Sequence, residues 1–213
     1  MRYLDRLAVP APACLGSYSH HTNSWDNVSG LHREQIRASL QQMQGRRCAY
    51  CEGGIDALGQ HIEHFRRKSQ FQILTFEWGN LYWSCDQTDS CGHYKDHGAG
   101  HYNVGDLIDP CAEDPDAFFR FRADGTITIR AGLTAHDQHR AAETLRVFGL
   151  DEKWGRLRNM RKGAVAGYIK DADEAIKVGF GPADLQEYFK EALVAAAAEP
   201  FPTVVRHVLT EGP

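Results

Sequence analysis

Four cysteines between positions 48 and 91 have the spacing of a metal site. Cys48 and Cys51 form a Cys-x-x-Cys pair, which lets two thiolates on one tight turn bind the same tetrahedral ion. Cys85 and Cys91 form a second, wider pair that can complete the coordination. Because four thiolates leave zinc no open position, we expect a structural zinc ion, which would contribute on the order of 10 kcal/mol to folding at neutral pH.

A redox-active dithiol is the competing interpretation of Cys48 and Cys51. Such a dithiol is typical of a strand-to-helix junction in a thioredoxin-like fold. Here Glu52 and two glycines follow the pair, and a second cysteine pair lies downstream. Structural zinc is therefore the favoured interpretation, and Cys14 and Cys111, which have no obvious partner, are expected to be ordinary thiols.

The segment from His61 to His64 has side chains suited to acid-base and metal chemistry. A neutral imidazole can deprotonate an attacking water near pH 7, an effect typically worth about 100- to 10,000-fold in rate. A carboxylate such as Glu63 can bind a hard cation such as magnesium, which polarises a phosphate and stabilises the leaving oxygen. Adjacent strand residues face opposite ways, so Glu63 and His64 can serve one phosphate only if the strand ends, bulges or twists there.

The surrounding segments predict the elements that position this chemistry. A helix is expected from Leu31 to Gln44, with Ser29 near its start. From Cys48 to about Gly100 the chain is rich in Cys, His, Gly and Trp and has little helical periodicity, which suits a small unit organised by a metal ion. The predicted buried side of the helix consists of Leu31, Ile36, Leu40 and Met43.

Further along the chain, the pattern predicts a β-hairpin followed by a helix. The alternating segments AFFRFR and TITIR are joined across Ala123, Asp124 and Gly125, where glycine supplies the positive φ of a tight loop. The pattern then becomes helical. Thr134 is expected to cap a helix that ends near Gly149.

Two more helices are predicted in the last third of the chain. Asp151 is expected to cap the first of them, and Pro182 to begin the second at its first turn. The first helix is expected to carry Trp154, Leu157, Tyr168, Ile169 and Ile176. The predicted buried stripe of the second consists of Leu185, Phe189, Leu193 and Val194.

Four motifs follow one another between Cys48 and His97: CAYCE, IEHFRRKS, WGNLYWSC and CGHYKD. Together they resemble the cysteine-framed HNH, or His-Me finger, nucleases. An isolated Glu-His pair would be more typical of an ordinary surface pair, and it is this context that favours catalysis. The resemblance implies that His64 is the general base, that Glu63 is a ligand of a catalytic Mg²⁺ or Mn²⁺ ion, and that Asn80 pins the loop between the two active-site segments.

One position departs from the nuclease pattern. The residue after the last cysteine is usually Asn or His and completes the catalytic metal site, but here it is Gly92. The resemblance then implies that His93 or His97 takes its place as a ligand of the catalytic ion. His61 shares the predicted strand face of Glu63 and is either a further ligand or a residue that orients one.

A second resemblance extends the first to about Leu150. The run LIDPCAEDPDAFFRF with its DG hairpin, and the later FGLD, resemble PtuB, the HNH subunit of Septu-type anti-phage systems, which is also found beside some retrons. That family works with an ATPase, PtuA, so the resemblance implies a PtuA-like ATPase partner here. The C-terminal helices carry more apolar surface than a small ββα core needs, and they are the candidate docking surface.

These features predict an α+β protein. Residues 1–45 form an N-terminal segment and helix, residues 46–132 a small ββα-metal HNH core with structural zinc and the following β-hairpin, and residues 133–213 a C-terminal helical bundle. An apolar content of 42% and a charged content of 24% are ordinary for a folded protein. Because no apolar run resembles a secretory signal or is long enough to span a bilayer, we expect a cytoplasmic protein that does not act at a membrane.

The formal net charge of −4 argues against a protein that coats nucleic acid by bulk attraction, but a nuclease needs only local contacts. A basic cluster at Arg156, Arg158, Arg161 and Lys162 is either such a contact or a solvated face. DNA is the expected substrate, and RNA stays open because nothing in the motifs reads the 2′-hydroxyl group. The alternative function, supported mainly by Gly92, is a zinc-organised scaffold that recruits an ATPase and performs no chemistry.

Overall fold

The computed structural model describes residues 1–153 and 155–212. Within these residues the chain forms seven α-helices and two antiparallel pairs of strands, which confirms the predicted α+β class. None of the described helices is long and apolar enough to cross a membrane. The elements are α1 (Gly30–Gln44), α2 (Ile55–Leu58), β1 (His61–His64), β2 (Leu81–Ser84), α3 (Cys91–His97), β3 (Phe119–Phe121), β4 (Ile127–Ile129), α4 (Ala135–Val147), α5 (Arg156–Lys177), α6 (Pro182–Ala196) and α7 (Pro202–Glu211).

Helix α1 forms as the sequence predicts, with one error on its buried side. The Ser29 hydroxyl accepts a backbone N–H of the first turn, and Gly45 ends the helix at a φ of 65°. Leu31 was predicted to be buried but is 68% exposed. It lies nine residues before Leu40, and a turn of about 100° per residue places the two on opposite sides of the helix. The buried side consists of Ile36, Leu40 and Met43.

A buried glutamine joins the end of α1 to strand β2. Gln44 Nε2 donates to the carbonyl of Trp83 over 2.8 Å, and its Oε1 accepts from the N–H of Trp83 over 2.9 Å. Nε2 also donates to the carbonyl of Arg47. Because these backbone groups are buried, each needs such a partner, and the side chain therefore sets where the cysteine segment begins relative to β2.

The predicted hairpin is formed by β3 and β4, in the register Phe119 opposite Ile129. Its turn contains Gly125 at a φ of 86°. A Cβ atom at this position would also lie 2.0 Å from the carbonyl oxygen of Arg158. Glycine is thus required twice here, once for the turn and once for the close approach of α5.

Helix α4 confirms its predicted cap, whereas the cap predicted for α5 is wrong. Thr134 Oγ1 accepts the N–H of Asp137 over 3.1 Å and begins α4. Helix α5 begins after Gly155 and not at Asp151. The Asp151 carboxylate accepts the N–H of Ile127 over 3.0 Å, so the hairpin uses the oxygen that a helix cap would need.

The side chains predicted for α5 are only partly buried. Leu157 is buried, Tyr168 and Ile169 are partly covered, and Ile176 is 54% exposed. Trp154 lies outside the described residues. The far end of α5 therefore extends beyond the core.

Helix α6 begins at Pro182 as predicted, but its buried face differs from the predicted stripe. The buried side chains are Ala192 and Ala196, and the helix packs against α5 and α7. Val194 is 78% exposed because it lies nine residues after Leu185, on the opposite side of the helix. Of the predicted stripe, Leu185, Phe189 and Leu193 are half-buried.

Helix α7, which no sequence pattern singled out, folds back onto the cysteine segment. The N–H of Phe201 donates to the carbonyl of Glu52 over 3.0 Å, and the N–H of Thr203 donates to the Glu52 carboxylate over 3.1 Å. Further along α7, His207 Nδ1 accepts the N–H of Phe121 over 3.0 Å. The helix thus connects the hairpin to the turn that carries Cys51.

Arg161 joins α5 to the hairpin from a fully buried position. Its guanidinium donates to the carbonyl oxygens of Gly125 over 2.7 Å and Leu150 over 2.9 Å, and it pairs with Asp151 at 3.1 Å. Burial lowers the pKa of Arg161 to about 10, so the group is charged at neutral pH. The basic cluster seen in the sequence is thus partly structural.

We expect Arg161→Met to lower the free energy of unfolding by about 3 kcal/mol, because it leaves two buried carbonyls without their donor and removes one of the two arginines that pair with Asp151. Urea denaturation of the purified protein measures this change. Lys162→Met alters the next, exposed side chain and should change stability by less than about 0.5 kcal/mol. Equal losses in the two variants would contradict this role for Arg161.

Candidate active site

The four predicted cysteines lie together and are buried. The sulfur atoms of Cys48, Cys51, Cys85 and Cys91 are all within 4.8 Å of one another, and Cys51 and Cys85 are 4.0 Å apart. Zinc-sulfur bonds of about 2.3 Å in a tetrahedron place the sulfurs about 3.8 Å apart. The cluster therefore fits a metal ion such as zinc, and the grouping predicted from the spacing is confirmed.

The first cysteine pair lies on a tight turn, and a backbone N–H of this turn donates to one of the sulfurs. Glu52 has a φ of 66°, and the N–H of Gly53 donates to the sulfur of Cys51 over 3.4 Å. A Cβ atom at Gly53 would lie 2.4 Å from a methyl carbon of Leu58. Any side chain here would require the buried Leu58 to move, and the backbone N–H stabilises the charge that a metal-bound thiolate retains.

Strands β1 and β2 with helix α3 form the ββα unit. Glu63 pairs with Tyr82 across the sheet and His64 with Leu81. The strand ends at His64, which meets the requirement that the strand end at this pair. The two side chains still lie on opposite faces of β1. Glu63 contacts Lys95 of α3, and the ring of His64 packs against Trp25 with ring centroids 4.5 Å apart.

His64 is held in one neutral form. Its Nε2 lies 3.0 Å from the carbonyl oxygen of Thr75, which can only accept, so Nε2 carries the proton and Nδ1 has the lone pair. Burial lowers the pKa of His64 to about 4. The imidazole is therefore uncharged at neutral pH and can accept a proton through Nδ1.

Asn80 ties the chain that follows His64 to the loop before β2. Its Oδ1 accepts the N–H of Arg66 over 2.7 Å, and its Nδ2 donates to the carbonyls of Arg66 over 3.0 Å and Leu74 over 3.2 Å. All of these groups are backbone atoms of the segments that flank the histidine. The side chain is 2% exposed, so it holds the loop from within.

A cavity of about 340 Å³ adjoins the His64 side of the unit. Trp25 and Thr75, which both contact the His64 imidazole, line it together with Lys68. The Lys68 charge also acts on His64 and favours its neutral form. The lining of this concave surface contains both Lys68 and Asp26, and His64 itself lies just behind it at 4% exposure.

Glu63 is buried and engaged through both of its oxygens. Lys95 Nζ lies 2.8 Å from Oε1, and His61 Nε2 lies 3.2 Å from Oε2. Burial acts to raise the pKa of Glu63, but the Lys95 ammonium and the His61 imidazole outweigh it and hold this pKa at about 2. The carboxylate is thus ionised and fixed between β1 and α3.

The structure brings His93 together with His61 and with Asp86, a residue that the sequence did not suggest. His93 Nε2 is 2.6 Å and His61 Nδ1 is 3.5 Å from Asp86 Oδ1. Asp86 directly follows Cys85, and His61 is paired across the sheet with Ser84. The strand register was therefore the signal that could have found it.

His97 does not join this group. Its side chain is exposed, and its ring lies 6.2 Å from the ring of His93. Of the two histidines left open by the sequence, only His93 lies among other metal-binding side chains in the described part of the chain.

Gly92 is explained by close packing. A Cβ atom at this position would lie 2.6 Å from Glu63 Oε2 and 2.9 Å from His61 Nε2. Such distances are far below contact range, so any side chain at residue 92 would displace the histidine-carboxylate pair. The space that an Asn or His would fill is occupied by His61 and Glu63.

The basic cluster after residue 155 is largely paired within the protein. Arg156 contacts Asp89 at 3.1 Å, and Arg158 contacts Asp151 at 2.7 Å. Arg161 is buried. Lys162 is the exposed member of the cluster. The three arginines therefore stabilise the fold through ion pairs within the protein.

Comparison with known proteins supports the resemblance found in the motifs. No family model matches the chain. It is 27% identical to the Septu protein PtuB of Bacillus mycoides (strain KBAB4), over 46% of this chain and 42% of that protein. It is 27% identical to a candidate HNH endonuclease of retron Vc95 from Vibrio cholerae serotype O1 biovar El Tor, over 55% of this chain and 58% of that protein. The chain spans about half the length of the curated relatives it matches.

We expect Cys85→Ala to lose the tightly bound zinc and to unfold the ββα unit, because the ion contributes on the order of 10 kcal/mol to folding. Zinc content after gel filtration and thermal unfolding measure the two effects. Cys14→Ala removes a buried thiol outside the cluster and should keep the zinc. A Cys85→Ala protein that retains zinc would contradict the four-cysteine site.

We expect Gly92→Ala to lower the free energy of unfolding by about 1–3 kcal/mol, since its methyl group overlaps Glu63 and His61. Gly163→Ala is the matched control, because a Cβ at Gly163 in the middle of α5 meets nothing within 4 Å. It should raise stability by about 0.5–1 kcal/mol through helix propensity. Chemical denaturation measures both, and a neutral Gly92→Ala would show that the position is not crowded.

Proposed function

We propose that this protein is a metal-dependent HNH endonuclease that hydrolyses phosphodiester bonds of nucleic acid, DNA in the first place. The observation that carries the proposal is the state of His64. It ends strand β1 of a ββα unit, donates from Nε2 to Thr75, and presents a neutral Nδ1. A positioned, uncharged imidazole is the group that takes a proton from water in such a reaction.

The two faces of β1 have separate tasks in this proposal. On the His64 side, the cavity lined by Trp25, Thr75 and Lys68 receives the phosphate backbone, because the Lys68 ammonium attracts phosphate oxygens. Asn80 keeps the loop around the base in place. His64 Nδ1 accepts the proton of the attacking water.

The opposite face of β1 carries the metal-binding groups. His93, His61 and Asp86 present nitrogen and carboxylate donors there, and Glu63, the ligand that the resemblance implies, is held between Lys95 and His61. A Mg²⁺ or Mn²⁺ ion bound here would supply Lewis-acid stabilisation of the leaving oxygen of a phosphate that lies across the end of β1 at His64, where both faces meet. The four-cysteine site keeps a structural zinc ion that holds this face in register with α3.

We extend the proposal to biological context from the names of the relatives. A Septu protein and a retron protein suggest an effector of anti-phage defence, acting in the cytoplasm with a PtuA-like ATPase. The C-terminal helices are the proposed docking surface. Around the turn from α5 to α6 they expose Ile176, Val178 and Phe180, apolar side chains that a partner protein can cover.

A second candidate function is a zinc-organised scaffold that recruits an ATPase without chemistry of its own. The observation that favours it is the engagement of both Glu63 oxygens by Lys95 and His61, which leaves the carboxylate no free oxygen. In that case His64→Ala would change neither cleavage nor survival of cells under phage attack.

We expect His64→Ala to reduce cleavage at least about 100-fold while zinc content and thermal unfolding stay unchanged. The assay incubates the variant and the wild type with plasmid DNA and with total RNA, in Mg²⁺ or Mn²⁺, with and without an ATPase encoded alongside. His101→Ala, an exposed histidine outside the site, is the control and should cut as the wild type does. Loss of zinc together with activity would refute the role of His64, and absence of cleavage under every condition would favour the scaffold.

A further inference from the structure

Three side chains outside the cysteine cluster present metal-binding atoms to one point. Those of His61, Asp86 and His93 lie within 4.8 Å of one another, with Asp86 Oδ1 3.5 Å from His61 Nδ1 and 2.6 Å from His93 Nε2. Bonds of about 2.0–2.2 Å from a metal ion to nitrogen and oxygen place neighbouring ligands about 3.0–3.5 Å apart. The His61–Asp86 separation matches that spacing, and the shorter His93–Asp86 separation is a hydrogen bond between two groups that an ion would hold slightly further apart.

His61 is oriented as a metal ligand would be. Its Nε2 lies 3.2 Å from the Glu63 carboxylate, which can only accept, so Nε2 carries the proton and Nδ1 holds the lone pair. Nδ1 is buried and has no hydrogen-bond partner among residues 1–153 and 155–212. A histidine whose second nitrogen donates to a carboxylate while the first faces acidic and imidazole groups is the usual arrangement at metal sites.

Glu63 is placed to orient His61 and not to bind the ion directly. Its Oε1 is paired with the buried Lys95 and its Oε2 with His61. Gly92 makes this arrangement fit, because a Cβ there would overlap both Glu63 and His61. The residue that would supply a ligand at position 92 is thereby replaced by the imidazole of His61.

We propose that His61 Nδ1, Asp86 Oδ1 and His93 Nε2 are the protein ligands of a second divalent metal ion, distinct from the ion of the four cysteines. Two imidazoles with one carboxylate favour Mn²⁺, Co²⁺, Ni²⁺ or Zn²⁺ over Mg²⁺, which prefers oxygen ligands and its own water shell. Asp86 is 51% and His93 34% exposed, so the remaining positions of the ion face solvent. The proposal rests on the proposed function only for what the ion does, since its binding needs no nuclease activity.

Metal binding without substrate tests the proposal. The full-length protein is freed of loosely bound metal with a mild chelator, its cysteine-bound zinc is counted, and Mn²⁺, Ni²⁺ and Mg²⁺ are titrated by calorimetry. We expect one further Mn²⁺ or Ni²⁺ per chain, bound at least about 10-fold more tightly than Mg²⁺. Asp86→Asn and His61→Ala should each weaken this ion at least about 10-fold while the zinc count and thermal unfolding are retained.

His97→Ala is the matched control, because His97 is an exposed histidine on the same helix as His93 and lies outside the cluster. It should bind the second ion as the wild type does. The proposal is overturned if no second ion binds, if Mg²⁺ binds as tightly as Mn²⁺, or if His97→Ala loses the ion while Asp86→Asn keeps it. A protein that binds the ion through Asp86 but cleaves no nucleic acid would support this site and reject the nuclease.

Discussion

Four thiol groups buried at one point are the constraint on which the rest of the ββα unit depends. Cys48 and Cys51 come from the turn after α1, Cys85 follows β2, and Cys91 begins α3. Apolar burial alone gives no reason for four polarizable, ionisable groups to meet, whereas coordination of one ion does. An ion held by the four sulfurs would fix the placement of β2 and α3, and of the side chains next to Cys85 and Cys91.

The C-terminal helices support the cysteine cluster. Arg47 donates to the carbonyls of Ala197 and Glu199 between α6 and α7, and Glu52 accepts from the start of α7. These bonds are long-range and lie in partly or fully buried positions, so they connect the cysteine turn to the C-terminal helices. The apolar groups around the turn from α5 to α6 take no part in these bonds and are exposed.

The helices and hairpin were predicted well wherever the signal is local. Ser29, Thr134, Gly125 and Pro182 each act within one turn of their own position, and each does what the sequence indicated. The predictions failed in two situations. A distant backbone group competed for the side chain of Asp151, and the exposed Leu31 and Val194 were assigned to the buried side of their helices. Asp151 serves the hairpin instead of a helix, because a backbone N–H of β4 reaches it first.

The sequence by itself determined the chemistry that is present: the four-cysteine cluster, the Glu-His pair at a strand end and an unusual glycine after the last cysteine. Local spacing and residue type suffice for these. Only the tertiary structure decided which groups meet, because that depends on the register of β1 against β2 and on the approach of α3. It sends Glu63 and His64 to opposite faces and brings Asp86 to His61 and His93. Side-chain alternation along one strand and pairing between strands are both set by long-range packing, which no short motif encodes.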